Sequence, residues 1–167
     1  NGADAVETAL KTCVLATKKP GVLAFVGGYH GLSHGPLGAC GYSEAFRAPF
    51  REQLNPHVSF APYPRAGDDV AQAVARIAGY IDDSTGAILV EPLLGRGGVV
   101  IPPAGFLRAL GEFARARGLL VVADEIFVGL GRTGPTLVSV AEGLVPDLIC
   151  LGKALGGGMP ISACVGT

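Results

Sequence analysis

The sequence has few charged residues and no long hydrophobic run. Lys, Arg, Asp and Glu make up 16% of its 167 residues, and 13 basic against 14 acidic residues leave a formal net charge of -1. This balance lacks the basic excess that is typical of nucleic-acid-binding proteins. The longest apolar stretches, such as 119–123, run for only five or six residues, whereas a membrane-spanning helix needs about 18. We therefore expect no nucleic-acid partner and no membrane span.

Paired cysteine motifs are also missing. The four cysteines form no CxxC pair and no close Cys/His spacing, and no segment resembles a signal peptide. We therefore expect a reduced, cytoplasmic setting. No Met precedes Asn1, and Thr167 comes just after an apolar run, so we also expect the chain to be a piece of a longer protein.

Apolar residues and glycine are abundant. Apolar residues make up 49% of the chain, mean hydropathy is +0.45 and 26 residues are Gly, which supplies a core and excludes a disordered chain. Short apolar runs alternate with amphipathic helical patterns, as in βα units with a largely parallel sheet. The predicted strands are 22–26, 58–61, 87–90, 119–123, 148–151 and 161–165, and the predicted helices are 3–18, 68–81 and 103–117. We predict an α/β fold of three layers, a mostly parallel sheet with helices on both faces, and irregular site loops at 27–64 and 127–135.

Polar residues come within four positions after the ends of four of the apolar runs. Ligands of open α/β sheets bind outside the carboxyl ends of the strands, so these positions are candidates for a site. They are Tyr29 and His30 after the first run, Glu91 after the third, Asp124 and Glu125 after the fourth, and Lys153 after the fifth. The topology predicts that an aromatic ring, carboxylates and one amine meet at one edge of the sheet.

Lys153 and Asp124 each have a chemical and a purely structural interpretation. Desolvation by a buried strand would keep the Lys153 amine partly neutral and able to attack a carbonyl, although a helix-start or salt-bridging lysine is the alternative. Asp124 needs a partner, either a protonated heterocyclic nitrogen or Mg²⁺ shared with Glu125 and Glu91, unless it only caps the next turn. The chain has no phosphate-cradling GxxxxGK[ST] motif, which disfavours a nucleotide hydrolase.

The first residues predict a helix N-terminus. Asn1, Gly2 and Ala3 open an amphipathic helix, whose free N–H groups could hold an anion. Ordinary capping and dipole preferences explain the same residues.

In their order along the chain, these residues resemble the class III (omega) aminotransferases, pyridoxal-phosphate enzymes of the aspartate aminotransferase fold. The matching segments are NGADAVETALK (1–11), YHG (29–31), EPLLGRGGVVIPP (91–103), DEIFVGLGRTG (124–134) and PDLICLGKALGGGMPISA (146–163). They extend over essentially the whole chain, and the last two together are the most specific. The resemblance implies fold type I, with residues 1–167 forming an incomplete cofactor-binding large domain.

The resemblance also implies roles toward pyridoxal 5'-phosphate. Lys153 would form the Schiff base with the cofactor aldehyde and move the substrate proton, and Asp124 would pair with the pyridinium nitrogen. The other implied pocket residues are Tyr29 and Ile126 on the two ring faces, the N–H groups of Gly2 and Ala3 at the phosphate, and His30, Glu91 and Glu125 lining or supporting the pocket.

Three departures from the family's pattern bear on function. Ala3 stands where Ser or Thr is usual, which removes a hydroxyl contact to the phosphate. Phe127 stands where many members have a Gln, and Arg96 replaces a Glu that pairs with a substrate-gating Arg in members acting on γ-aminobutyrate or ornithine. Arg96 and Phe127 are therefore candidates for substrate contact. We predict that Arg96 meets a substrate carboxylate, and a solvated loop arginine is the alternative.

The activity implied is transfer of an amino group between an amine or amino acid and a 2-oxo acid or aldehyde, without a metal. The resemblance also implies a homodimer, together with an N-terminal segment and a small C-terminal domain outside residues 1–167, so that the isolated chain would be inactive. An aminomutase, epimerase or lyase of the same fold would share Lys153 and Asp124. A non-catalytic module that kept the fold and a Mg²⁺-dependent phosphate enzyme are the remaining alternatives.

Overall fold

Six α-helices and one six-stranded sheet organise residues 1–166, the part of the chain that the computed structural model describes. The helices are α1 (Gly2–Thr17), α2 (His34–Gly38), α3 (Glu44–Arg47), α4 (Val70–Ala78), α5 (Phe106–Ala116) and α6 (Val138–Ala141). The strands are β1 (Gly21–Phe25), β2 (Val58–Ala61), β3 (Thr85–Val90), β4 (Leu120–Asp124), β5 (Leu148–Leu151) and β6 (Ala163–Gly166). Two 3₁₀ segments lie at Ala48–Gln53 and Lys153–Gly156. Within these residues, no helix combines the length and the apolar character that crossing a bilayer requires.

The strands are arranged in the order β2-β1-β3-β4-β5-β6. The first five run parallel, and β6 pairs antiparallel with β5 at one edge. Every residue of β1 and of β3 is buried, as expected for strands that helices cover on both faces. The prediction of a mostly parallel, six-stranded sheet is confirmed.

Two hydrophobic clusters lie on opposite faces of this sheet. Successive side chains of a strand point to opposite faces, so Ile88 of β3 packs in the cluster that contains Leu110 of α5, while Leu89 packs in the cluster that contains Val6 of α1. Each of these four side chains is fully buried, which contributes about 1.5–3 kcal/mol apiece. The three-layer architecture is therefore confirmed, with α1 on one face and α4 and α5 on the other.

Two helices are shorter than their apolar patterns predict. The helix predicted at 68–81 spans Val70–Ala78, because the Asp69 side chain accepts a hydrogen bond from the Gln72 N–H at 2.8 Å and so caps its start. The helix predicted at 103–117 begins only at Phe106, because Gly105 has φ +84°, a left-handed conformation outside the helical region. Apolar spacing shows which face is buried, but local backbone chemistry decides where a helix begins.

The segment predicted to be irregular at 27–64 is partly helical. It contains α2, α3 and the 3₁₀ segment Ala48–Gln53, each of four to six residues. Elements this short span too few turns to produce a helical repeat in the sequence.

Candidate active site

A cavity of about 330 Å³ lies at the carboxyl ends of the central strands. The structure brings to its walls eight of the nine residues that the resemblance implies for the pocket: Gly2, Ala3, Tyr29, His30, Glu91, Asp124, Ile126 and Lys153. Asn1, Gly31, Leu32 and Phe127 complete the lining. Residues far apart in the sequence thus converge at the sheet edge where parallel α/β folds bind their ligands.

Asp124 is a buried carboxylate at the end of β4, 3% exposed, and two donors fix its orientation. His30 Nδ1 lies 2.7 Å from Asp124 Oδ2, and the Ile126 N–H donates to Oδ1 at 3.1 Å. Burial alone lowers the pKa of His30, but the hydrogen bond to Asp124 and the negative charges of Asp124 and Glu91 outweigh it, and the net pKa is raised. The surroundings therefore favour the cationic imidazole more than water does, and the contact of Nδ1 with Oδ2 holds the carboxylate in place.

Glu91 links the segment that follows β1 to the loop that follows β3. Its Oε1 accepts a hydrogen bond from the Tyr29 N–H at 2.8 Å, and its Oε2 accepts one from the Gly95 N–H at 3.1 Å. Burial raises the pKa of this carboxyl. Glu91 thus lines the cavity and also sets the position of the Tyr29 backbone.

Lys153 lies in a more open position than the sequence predicts. The side chain is exposed rather than desolvated by β5. Strand β5 ends at Leu151, and after the buried, extended Gly152 the chain begins the 3₁₀ segment Lys153–Gly156. Its φ of +42° lies in the left-handed region, which is strained by about 1–2 kcal/mol for a residue with a Cβ. The amine lies 5.5 Å from the centre of the Phe127 ring.

The N-terminus of α1 forms another wall, and its backbone is closely packed there. A Cβ at Gly2 would lie 3.0 Å from Ile126 Cγ2, and one at Gly152 would lie 3.3 Å from the same atom. The Asn1 side chain caps the helix by accepting a hydrogen bond from the Ala3 N–H at 2.9 Å. An anion at this helix end would compete with Asn1 for that donor.

Glu125, which the resemblance implies lines or supports the pocket, does not line the cavity. Its Oε1 accepts hydrogen bonds from the Ser139 N–H and hydroxyl, both at 2.6 Å, which anchors α6 instead. Among residues 1–166, no group of three or more His, Cys, Asp or Glu side chains is placed to hold a metal ion. The carboxylate cluster that the Mg²⁺ alternative requires is therefore not assembled.

A second cavity, of about 340 Å³, adjoins the first and contains both predicted substrate residues. Its lining residues are Tyr29, Glu91, Gly95, Arg96, Phe127 and Lys153. Four of them, Tyr29, Glu91, Phe127 and Lys153, also line the first cavity. Lys153 thus has access to both spaces.

Sequence reasoning missed the aromatic side chains around Arg96. Its guanidinium carbon lies 4.5 Å from the centre of the Tyr29 ring, 5.4 Å from that of Tyr42 and 5.9 Å from that of Phe46. The spacing of Tyr42 and Phe46, four residues apart, was the available signal, but it lies in a stretch predicted to be irregular.

The sequence of all 167 residues matches the model of one protein family, described as aminotransferase class-III. The chain belongs to the class III aminotransferase family. A curated acetylornithine aminotransferase from Methanopyrus kandleri is 42% identical over 165 residues, which are 99% of this chain and 40% of that protein. An acetylornithine aminotransferase from Mycolicibacterium smegmatis is 41% identical over 165 residues, which are also 99% of this chain and 40% of that protein. The chain thus spans about 40% of the length of these class III relatives.

Solved transaminase structures have the same fold. An amine transaminase from an uncultivated Pseudomonas species, described in its PLP-bound form, matches all of this chain and 42% of its own with a TM-score of 0.88 and 30% identity. The omega transaminase from Pseudomonas jessenii in complex with PMP matches with a TM-score of 0.87 and 26% identity, over 100% of this chain and 41% of its own. The cofactor of the class III family is pyridoxal 5'-phosphate.

Proposed function

We propose that residues 1–167 are the cofactor-binding large domain, in incomplete form, of a pyridoxal-phosphate-dependent aminotransferase. The observation that carries this proposal is that Lys153, Asp124 and the N-terminus of α1 line one cavity. Pyridoxal phosphate has an aldehyde, a ring nitrogen and a phosphate at different points of its ring. An amine, a buried carboxylate and helix N–H groups on separate walls fit these three groups.

The chain's own residues supply the binding and the proton transfer. Bound pyridoxal phosphate supplies a protonated ring that accepts the electron pair left when a substrate C–H bond breaks. Asp124 would hold the ring nitrogen protonated, with its carboxylate fixed by His30. Lys153 would hold the aldehyde end and then accept and return the proton at the substrate carbon. The Tyr29 ring and the Ile126 side chain would cover the two faces of the ring and exclude water.

The substrates and partners belong to the same proposal. The similarity to two acetylornithine aminotransferases supports an amine donor and an oxo-acid or aldehyde acceptor. We propose that the full-length enzyme is a cytoplasmic homodimer with no nucleic-acid partner. The lack of CxxC pairs supports the cytoplasmic location. The net charge of -1 supports the absence of a nucleic-acid partner.

Borohydride reduction of the full-length protein loaded with pyridoxal phosphate tests the proposal. We expect a visible absorption band that disappears on reduction, and a cofactor mass that remains on the peptide containing Lys153. Lys153→Ala should lose both signals. Lys11→Ala, which removes an exposed lysine of α1, is the matched control and should keep them. A cofactor mass on another lysine, or on none, would contradict the proposal.

The form of the cofactor after the reaction then distinguishes amino-group transfer from aminomutase, epimerase and lyase reactions. An amine donor added without acceptor should convert the bound cofactor stoichiometrically to its pyridoxamine form. An aminomutase, epimerase or lyase would consume the donor without a stoichiometric, stable conversion of this kind. Absence of the pyridoxamine form with every donor would therefore reject the transferase and leave these alternatives.

A further inference from the structure

We propose that Arg96 is a specificity-determining residue that binds a substrate carboxylate in the second cavity. The substrates would then be amines and carbonyl compounds with a carboxylate distant from the reacting carbon. This inference rests on the proposed function, because it takes Lys153 as the group beside which the reaction occurs.

The backbone holds the loop of Arg96 in place. Leu94 and Val100 exchange two backbone hydrogen bonds, each of 3.0 Å, which close the short loop between them. The Gly95 N–H donates to Glu91 Oε2 at 3.1 Å and ties the loop to the buried carboxyl of Glu91. Arg96 is an exposed residue of this backbone-anchored loop, and it lines the second cavity.

Aromatic rings hold the guanidinium of Arg96 without neutralising it. It lies near the rings of Tyr29, Tyr42 and Phe46, and the Tyr42 and Phe46 rings stack with centres 5.9 Å apart. Contacts with ring faces leave the in-plane N–H edge of a guanidinium available. None of the five ion pairs formed within the described part of the chain involves Arg96.

Among the residues that line the second cavity, Arg96 is the one suited to bind an anion. Glu91 contributes a carboxylate, but its two oxygens already accept backbone N–H groups. Lys153 is the other cation of this cavity, and the proposed reaction occupies its amine. The Phe127 ring, 5.5 Å from that amine, gives an apolar wall for the carbon chain of a substrate. Arg96 can therefore bind an anionic end with two parallel N–H donors.

The test compares acids with their neutral amides in the full-length enzyme loaded with cofactor. The donors are short ω-amino acids and their primary amides of equal length, and the readout is the ratio of kcat/KM for acid to that for amide. Arg96→Gln should lower this ratio by about 10- to 100-fold, as expected for the loss of a charged hydrogen-bonding partner. Arg96→Lys should restore only part of it, because an ammonium cannot donate two parallel hydrogen bonds.

A matched control and a binding measurement complete the test. Arg117→Gln removes an arginine that also lies over a ring, 3.9 Å from the centre of Phe113, and it should leave the ratio unchanged. Calorimetric binding of glutarate, an unreactive dicarboxylate, should weaken in Arg96→Gln, whereas glutaramide should bind no differently. An unchanged acid-to-amide ratio or unchanged glutarate affinity in Arg96→Gln would overturn the inference. If glutarate binds through Arg96 but no donor is turned over, the proposed function fails and the anion site stands.

Discussion

Replacing His30 by Ala is expected to destabilise the cofactor-free, full-length protein by about 3–5 kcal/mol, the usual cost of removing one partner of a buried ion pair. The side chains of His30 and Asp124 are only 1% and 4% exposed, and they approach to 2.7 Å. Without the imidazole, Asp124 keeps a single donor, the Ile126 N–H. His30→Asn places an amide N–H near the position of Nδ1 and should recover part of the loss. Urea denaturation followed by circular dichroism gives the free energies of unfolding.

The same pair predicts the direction of a pH dependence. The folded-state pKa of His30 is raised from 6.5, so its contribution to stability is fully present below about 6.5 and is lost as pH rises through the folded pKa. The pKa of Glu91 is also raised, from 4.5. Its contribution to stability is therefore also lost as pH rises, beginning at a lower pH than for His30. Stability should therefore fall with rising pH above about 6.5, and both His30 variants should flatten that part of the profile.

An exposed histidine provides the control. His57→Ala removes an imidazole that lies on the surface, and surface changes of this kind usually stay within about 0.5 kcal/mol. The reasoning would be refuted if His30→Ala were destabilised no more than His57→Ala, or if it kept the wild-type dependence on pH.

Two further predictions concern the loop that follows β3. Glu91→Gln should lower stability by about 1–3 kcal/mol and weaken cofactor affinity, because the amide NH₂ would face one of the two backbone N–H groups that the carboxylate now satisfies. Urea denaturation and cofactor titration measure both effects, and unchanged values would refute the assignment of Glu91 as the link between the two segments. Gly95→Ala would place a Cβ 2.4 Å from Phe127 Cδ1 and force the ring to move. Because that ring is 38% exposed, we expect a raised KM with little change in Tm, and a large fall in Tm with an unaltered KM would contradict this.

The central strands of the sheet, β1, β3 and β4, could be predicted because they are almost entirely buried. Such strands are continuous apolar runs in the sequence, and the run 119–123 corresponds to β4 at Leu120–Asp124 with a shift of one residue. The shift arises because hydrogen-bond pairing defines the end of a strand, and Asp124 still pairs with Cys150 of β5. Helices of four or five residues, such as α2 and α3, could not be predicted because they are too short to show a period.

The location of the candidate site followed from strand topology, but the directions of its side chains did not. Asp124 and Glu125 are adjacent in the sequence, yet one lines the cavity and the other bonds to Ser139. Lys153 is exposed at the start of the 3₁₀ segment that follows β5, and strand burial does not predict such a segment. The ring cluster around Arg96 joins segments that meet only in the folded chain.

The spread of the site along the sequence affects how completed folding could be detected. Asn1 and Ser162 are joined by a hydrogen bond of 2.6 Å from the Ser162 hydroxyl to the Asn1 carbonyl. Asn1 lines the first cavity, and its other lining residues all lie between these two positions in the sequence. A misfolded chain with one wrong connection between strands could still bury much of its apolar surface. In such a chain the N–H groups of α1 and the amine of Lys153 would not lie in the same cavity. Retention of a coloured ligand would then distinguish the correctly threaded molecule from compact misfolded forms, which a measure of helix content could not do.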